Sequence, residues 1–263
     1  MVKKTKTKTS SAIKFDERLH KYTYEGKELE SVTTWIERTF FVPFKHENRH
    51  IYIMNNMVKS NKKKGMGITN ADDLAKSWRL KGKRASKQGD VAHMYVEYLH
   101  LLKQYGQEPE RLTGYDDAAH KAYYSLIEKW DIIELEKQVY SIKYGLAGTL
   151  DVLMKNKKTG KLGILDWKSI ADIIKPKTDT KDILKHVSPK FNGIQKASIQ
   201  IDVYNEIGGF DIEPENRFVV QLCSDGKYNI YGGTQSPLPI YTDIVKNQMN
   251  NNVVSQVSYL DYV

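Results

Sequence analysis

Apolar and polar residues alternate with period two over residues 12–15 and again over 20–24, which predicts a short β-hairpin turning at 16–18. Ser31 follows. Its hydroxyl suits the N-cap of a helix that carries Trp35 and Ile36. From about 44 to 80 the chain is polar and reads as helix in pieces, interrupted at Gly65 and Gly67. Over 84–104, Val91, Met94, Val96, Leu99 and Leu102 return at roughly helical spacing and predict one long helix; a further helix is predicted over 116–130. The texture then changes. Residues 134–142, 146–154 and 162–166 read as three strands, the last two joined by a turn at 156–160. Helical spacing resumes over 190–206 with Ile194, Ala197, Ile201 and Tyr204. A second hairpin is predicted from 218–223 and 228–231, and a last helix over 241–250. Helices, strands, a helix and more strands predict an α/β (α+β) fold, a mixed sheet flanked by helices.

Composition narrows the function classes. No run approaches the roughly 18 apolar residues of a membrane helix. Cys223 is the only cysteine of 263 residues, which excludes an internal disulfide and any four-cysteine zinc or iron–sulfur site. Residues 1–12 are rich in lysine and threonine without an apolar stretch. They read as a disordered basic tail rather than a secretory signal, and lack the arginine of a mitochondrial presequence, so a reducing cytoplasm is the expected compartment. The net charge is +9, and five lysines precede the first acid, Asp16. Two internal basic clusters stand out: Lys62, Lys63 and Lys64, and then Lys81, Lys83, Arg84 and Lys87. Such clusters suit a polyanion, of which nucleic acid is the commonest. The alternative is that they only keep the chain soluble.

The chemistry concentrates between residues 145 and 168. If the hairpin is symmetric about Lys158–Thr159, Asp151 and Asp166 lie opposite each other on neighbouring strands. Facing carboxylates repel, which raises one pKa or recruits a cation. Period two places Asp166 and Lys168 on one face and Trp167 on the other. Two acids beside a lysine, each reached by an apolar run, suit a hard cation such as Mg²⁺ or Mn²⁺ next to a phosphate. Taken alone, Asp-x-Lys is an ordinary surface ion pair. Upstream, Gly89-Asp-Val-Ala-His93 leads to Glu97, four residues on and on the same helical face. His93 reads as a metal ligand or as a partner of one, and Gly89 as a point where backbone approaches closely. Gln200 and Tyr204 form another i, i+4 pair, which alone is a surface glutamine and a buried tyrosine.

These pieces together resemble the PD-(D/E)XK nuclease superfamily, and within it the RecB-type branch, whose motifs Gly-x-x-x-His, Gly-x-x-Asp, Asp/Glu-x-Lys and Gln-x-x-x-Tyr occur here in order as Gly89…His93, Gly148…Asp151, Asp166-Trp167-Lys168 and Gln200…Tyr204. Ser31-Val-Thr-Thr34 is similar to a segment of phage and mitochondrial genome-maintenance exonucleases of that branch. The resemblance covers 89–204 and, more weakly, extends back to about residue 13. It implies a single nuclease domain over 13–263: a largely helical part, 31–130, arching over the site; a catalytic sheet of four or five strands with its helix, 131–235; and a C-terminal helix, 236–263. It implies Asp151, Asp166, His93 and the Trp167 carbonyl as ligands of Mg²⁺ or Mn²⁺, and Lys168 acting on the attacking water. Glu136 would fill a position that the family often gives to an acid. Gln200 and Tyr204, with Glu97, would support the site or touch DNA; Lys62, Lys63, Lys64, Lys83, Arg84 and Lys87 would hold its backbone. The implied activity is DNA exonuclease action in recombination, repair or genome processing of a phage or bacterium, leaving 5′-phosphates. The alternatives are a flap or branch endonuclease and a non-catalytic DNA-binding module. Ser169 stands where the family commonly has threonine, and the lysine-rich stretch 170–191 is longer than a minimal member needs. No phosphate-binding loop of a helicase motor is present.

Overall fold

The computed structural model describes residues 13–16, 19, 21–42, 49–65, 70–107, 113–170, 173–175, 178–185 and 190–260. The expected tail at 1–12 and Gly67 lie outside them. β1 (Ile13–Asp16) and β2 (Lys21–Tyr24) form the expected hairpin, and β3 (Lys27–Ser31) continues it as an antiparallel meander. β3 was not legible because Lys-Glu-Leu-Glu-Ser holds a single large apolar residue. Its turn makes it a strand: Glu25 and Gly26 both have positive φ, 48° and 80°, the left-handed pair that joins twisted strands across two residues.

Ser31 then caps α1 (Val32–Phe40) as expected, its Oγ accepting the Thr34 N–H, and α1 buries Trp35, Ile36 and Phe40. α2 (Arg49–Lys63) and α3 (Ala71–Gln104) follow. α3 is 34 residues long and begins well before the expected Arg84. Its first turns carry no clear apolar stripe. They start on the Asn70 cap, with Asp72 and Asp73 at the helix's positive end, and continue on good helix formers. α4 (Tyr115–Lys129) buries an alanine face and passes directly into β4 (Trp130–Ser141). β5 (Leu146–Asn156) and β6 (Leu162–Lys168) come next.

A small separate ribbon, β7 (Thr178–Asp179) with β8 (Lys190–Phe191), encloses α5 (Asp182–Lys185). Lys190 and Phe191 are thus strand rather than helix, and α6 (Gly193–Gly208) begins at an Asn192–Gln195 capping box. β9 (Arg217–Leu222) and β10 (Tyr228–Gly232) form the expected second hairpin, and α7 (Thr242–Leu260) runs past the expected end at Asn250.

Among the described residues the main sheet has eight strands, ordered β1-β2-β3-β5-β6-β9-β10, with β4 paired to β5. This corrects the four or five that the resemblance implied; the meander adds most of the excess. β3–β5 and β6–β9 are parallel and the rest antiparallel. Helices cover both faces. On one, Trp35, Ile36 and Phe40 of α1, Ile201 and Tyr204 of α6 and Val245 and Met249 of α7 pack on Leu146, Leu150, Ile164 and Val219. On the other, Val96 and Leu99 of α3 and Tyr123 and Leu126 of α4 pack on Val152, Met154, Leu165, Trp167 and Val220. Among the described residues no helix is long and apolar enough to cross a membrane.

One buried ion pair fastens the C-terminal part to this frame. Asp202 of α6 accepts from the Arg217 guanidinium at the start of β9 and from the Tyr241 N–H, 2.7 Å away, just before α7. Removing one partner of such a pair strands the other charge in the interior. Asp202→Ala is therefore expected to lower the unfolding free energy by about 3–5 kcal/mol, read by urea titration.

Candidate functional site

The β5–β6 hairpin keeps the expected register, with Val152↔Leu165, Leu153↔Ile164 and Met154↔Gly163 paired, but the ladder ends there, one step short of the two aspartates. Beyond it β6 runs on without β5, its other edge paired with β9 from Ile164↔Arg217 to Lys168↔Gln221. The same edge of β5 pairs with β3 only at Leu146 and Ala147. Residues 148–151 therefore border a fork between β3 and β6. The expectation of directly facing carboxylates gives way to another arrangement: an Asp151 oxygen accepts the Trp167 N–H at 2.7 Å, a side chain standing in for the missing ladder partner.

Alternation also slips at this point. Leu150 packs on the α6 side of the sheet and Val152 on the α4 side, although a regular strand would give them one face. On β4, Leu135↔Val152 and Lys137↔Leu150 pair normally, and Glu136 between them has a φ of 48°. A non-glycine residue there carries roughly 1–3 kcal/mol of strain that its surroundings must hold in place.

Asp166 is 1% exposed and Asp151 7%. Lys168 Nζ lies 2.6 Å from Asp166 Oδ2, while Asp166 Oδ1 has no hydrogen-bond partner among the described residues. Trp167 points away into the α4-side core, as period two requires. From α3, His93 places Nε2 3.7 Å from Asp151 and Nδ1 3.2 Å from Glu136. One atom each from His93, Glu136 and Asp151 lie within 4.8 Å of one another, a spacing that could hold a metal ion. Asp166 is outside that trio and adjoins it through Lys168 and Trp167.

From α6, Gln200 accepts from Lys168 Nζ at 3.5 Å and donates to the Tyr204 hydroxyl at 3.1 Å. The i, i+4 pair thus braces the lysine. A Cβ on Gly148 would come within 2.6 Å of the Tyr204 ring, so this glycine lets Tyr204 lie against the strand. Gly89 does not have the role expected of it. A Cβ there would meet open space, and the residue instead lines a cleft.

That cleft, about 460 Å³, runs between α3 and the middle of β4 and the end of β6. Ser86, Gly89, Asp90, His93, Met94 and Glu97 form one wall, and Glu136 and residues 167–170 the other. Lys83, Arg84 and Lys87 are exposed on the same helix, about 9–15 Å along the axis from His93. Lys62, Lys63 and Lys64 sit at the far end of α2, exposed and outside the cleft lining. Stepping back from His93 by the helical period passes Asp90, Ser86 and Lys83 and reaches Arg79, an exposed cation absent from the expected basic set. That periodicity is the signal for Arg79, and it shows only once the helix is known to begin at Ala71.

The electrostatics are those of an acid-rich pocket. Burial, with Asp151 nearby, pushes Asp166 up to about 6 despite Lys168, and burial raises Asp151. Burial opposes charge on His93, but Asp151, Glu136 and Asp166 outweigh it and raise its pKa to about 9. Lys168, likewise held against burial by Asp166 and Asp151, is also raised. Burial and Glu136 raise Glu97 at the rim.

No protein-family model matches the chain, and no curated protein matches it.

The histidine sets a testable pH dependence. A pKa that rises on folding contributes stability in full below the unfolded value of 6.5 and loses it as pH climbs through about 9. In chelator, the wild type is expected to lose on the order of 2–3 kcal/mol across that window, and His93→Gln to show a much flatter profile, both read by denaturant titration at stepped pH.

Proposed function

We propose that this chain is a divalent-metal-dependent deoxyribonuclease of the PD-(D/E)XK type that digests DNA from an end. One observation carries the reading: two nearly buried aspartates, one with an oxygen that has no hydrogen-bond partner among the described residues, share a site with a lysine and a histidine at the side of an open cleft. Carboxylates buried without enough partners are costly, and the three acids Asp151, Asp166 and Glu136 outnumber the two cations Lys168 and His93. A divalent cation corrects that imbalance. Carboxylate oxygens with one imidazole suit Mg²⁺ or Mn²⁺.

Asp151, Asp166 and the Trp167 carbonyl would hold the ion, with His93 as a further ligand oriented by Glu136 through its other ring nitrogen. When bound, the ion supplies Lewis acidity toward the scissile phosphate and lowers the pKa of a coordinated water. The chain's own groups do the rest. Lys168, fixed between Asp166 and Gln200, presents an ammonium to the cleft, where it orients the attacking water and offsets charge developing on the phosphoryl oxygens. Tyr204 keeps Gln200 in place. Lys83, Lys87 and Arg79 lead phosphates toward the site without reading sequence. The preference for an end over an internal bond comes from the family resemblance.

The test is digestion of end-labelled linear DNA, single- and double-stranded, beside a closed single-stranded circle, with Mg²⁺ or Mn²⁺ and with chelator. Linear strands are expected to shorten from an end only with metal. Asp166→Asn and Lys168→Ala are each expected to slow this by about 100-fold or more. Equal cutting of the circle would replace the exonuclease with an endonuclease. Intact DNA in every lane, with binding retained, would leave a DNA-binding module.

A further inference from the structure

The long helix presents three rows. Ala92, Tyr95, Val96, Leu99 and Leu102 are buried in the core. Asp90, His93 and Glu97 line the cleft. Beside the cleft row, on the outer side, a third row takes alternating steps of three and four: Arg84, Lys87, Val91, Met94, Tyr98 and Leu101, continued by Tyr105, the residue that caps the helix. Its apolar members, Val91 to Tyr105, stand between 44% and 73% exposed, although their spacing is that of a seam meant to be covered.

We propose that this outer row is a stacking rail for the unpaired bases of a single strand whose backbone lies in the cleft. The proposal rests on the nuclease reading above and adds the form of nucleic acid that the site takes. Three observations favour this occupant. The row is continuous with the cleft, since Met94 belongs to both. It turns cationic at Arg84 and Lys87, which suits a polyanion and would set like charges together in a parallel pairing of two copies. Two of its members are tyrosines, whose rings stack on any base. The apolar stretch is about 21 Å long, the reach of a few nucleotides. Its exposed area, on the order of 500 Å², falls short of the roughly 800 Å² per partner of a stable protein interface.

The test compares two fluorescein-labelled strands of about 12 nucleotides by anisotropy. One is oligothymidylate and the other an abasic deoxyribose-phosphate chain, both measured with Ca²⁺ in place of Mg²⁺. The wild type is expected to bind the base-bearing strand at least about tenfold more tightly. Tyr98→Ser/Tyr105→Ser is expected to lose that margin while keeping its affinity for the abasic strand and its salt dependence, because the lysines are untouched. Equal binding of the two strands by the wild type, or a margin retained in the double variant, would overturn the rail and leave the nuclease reading standing. Failure to bind either strand would overturn the nuclease reading and the rail with it. A wild-type dimer that becomes monomeric in the double variant, with the margin unchanged, would make the row a self-association face and overturn the proposal.

Discussion

Everything at the candidate site depends on two strands that part. β5 and β6 run as a regular ladder up to Val152↔Leu165 and then part, while β6 stays paired with β9 along its other edge. A backbone N–H abandoned inside a protein needs another acceptor, and here Asp151 supplies it to Trp167. That single bond orients one carboxylate, fixes the strand that carries Asp166 and Lys168, and holds open the space into which His93 and Glu136 reach. A continuous ladder would have spent the same residues on sheet structure. The slip of alternation at Asp151 and the positive φ of Glu136 mark the distortion on the neighbouring strands. Irregularity of this kind persists only where dense packing enforces it, and both faces are well packed around it.

The charges then follow from burial. Neither Asp166 nor Asp151 has solvent to stabilise its ionised form, so each takes up protons more readily, while Lys168 and His93 hold theirs more firmly. Burial raises the aspartates, the acids in turn raise Lys168 and His93 against burial, and the acids outnumber the cations, a shortage of positive charge in a place with little water. His93 meets part of the shortage as an imidazolium. A ligand ion meeting it instead would displace that proton, and ion binding and protonation of His93 compete for the same carboxylates. Such a site suits the cation of the proposed function better than it would an apolar ligand.

Much of this was legible from residue order, and the limits have identifiable physical origins. Ser31 and its helix, the three central strands and the second hairpin follow from caps and periodicity, and the register of the β5–β6 hairpin follows from a symmetric turn. Asp151, Asp166, Lys168, His93, Glu136, Gln200 and Tyr204 do converge, as their motif order suggested. Strand β3 was illegible because a turn conformation, not an apolar pattern, creates it. The first turns of α3 were illegible because capping and intrinsic propensity hold them without a clear buried face. The parting of β5 and β6 was out of reach for a different reason: the symmetric turn sets the register of the hairpin, but nothing in the local pattern marks where its ladder stops.

The division of labour between sheet and helix explains why one site needs so much of the chain. The sheet can bury acids and hold them rigidly, but its strands are flanked by helices on both faces and offer no broad surface to a polymer. In the proposed function α3 would supply that surface. Because its inner row is anchored in the core, the helix can carry a histidine to the carboxylates on a second row and still leave a third row outside. The rows are locked in phase by the helical repeat, so a group on the cleft row and its neighbour on the outer row keep a fixed offset along the axis. A strand lying along α3 would meet cations, the buried acids and aromatic rings in an order set by helix geometry alone. For the proposed nuclease, rigid chemistry from the sheet and a linear contact surface from the helix would be separate requirements, and the residue order of α3 is arranged to meet the second without disturbing the first.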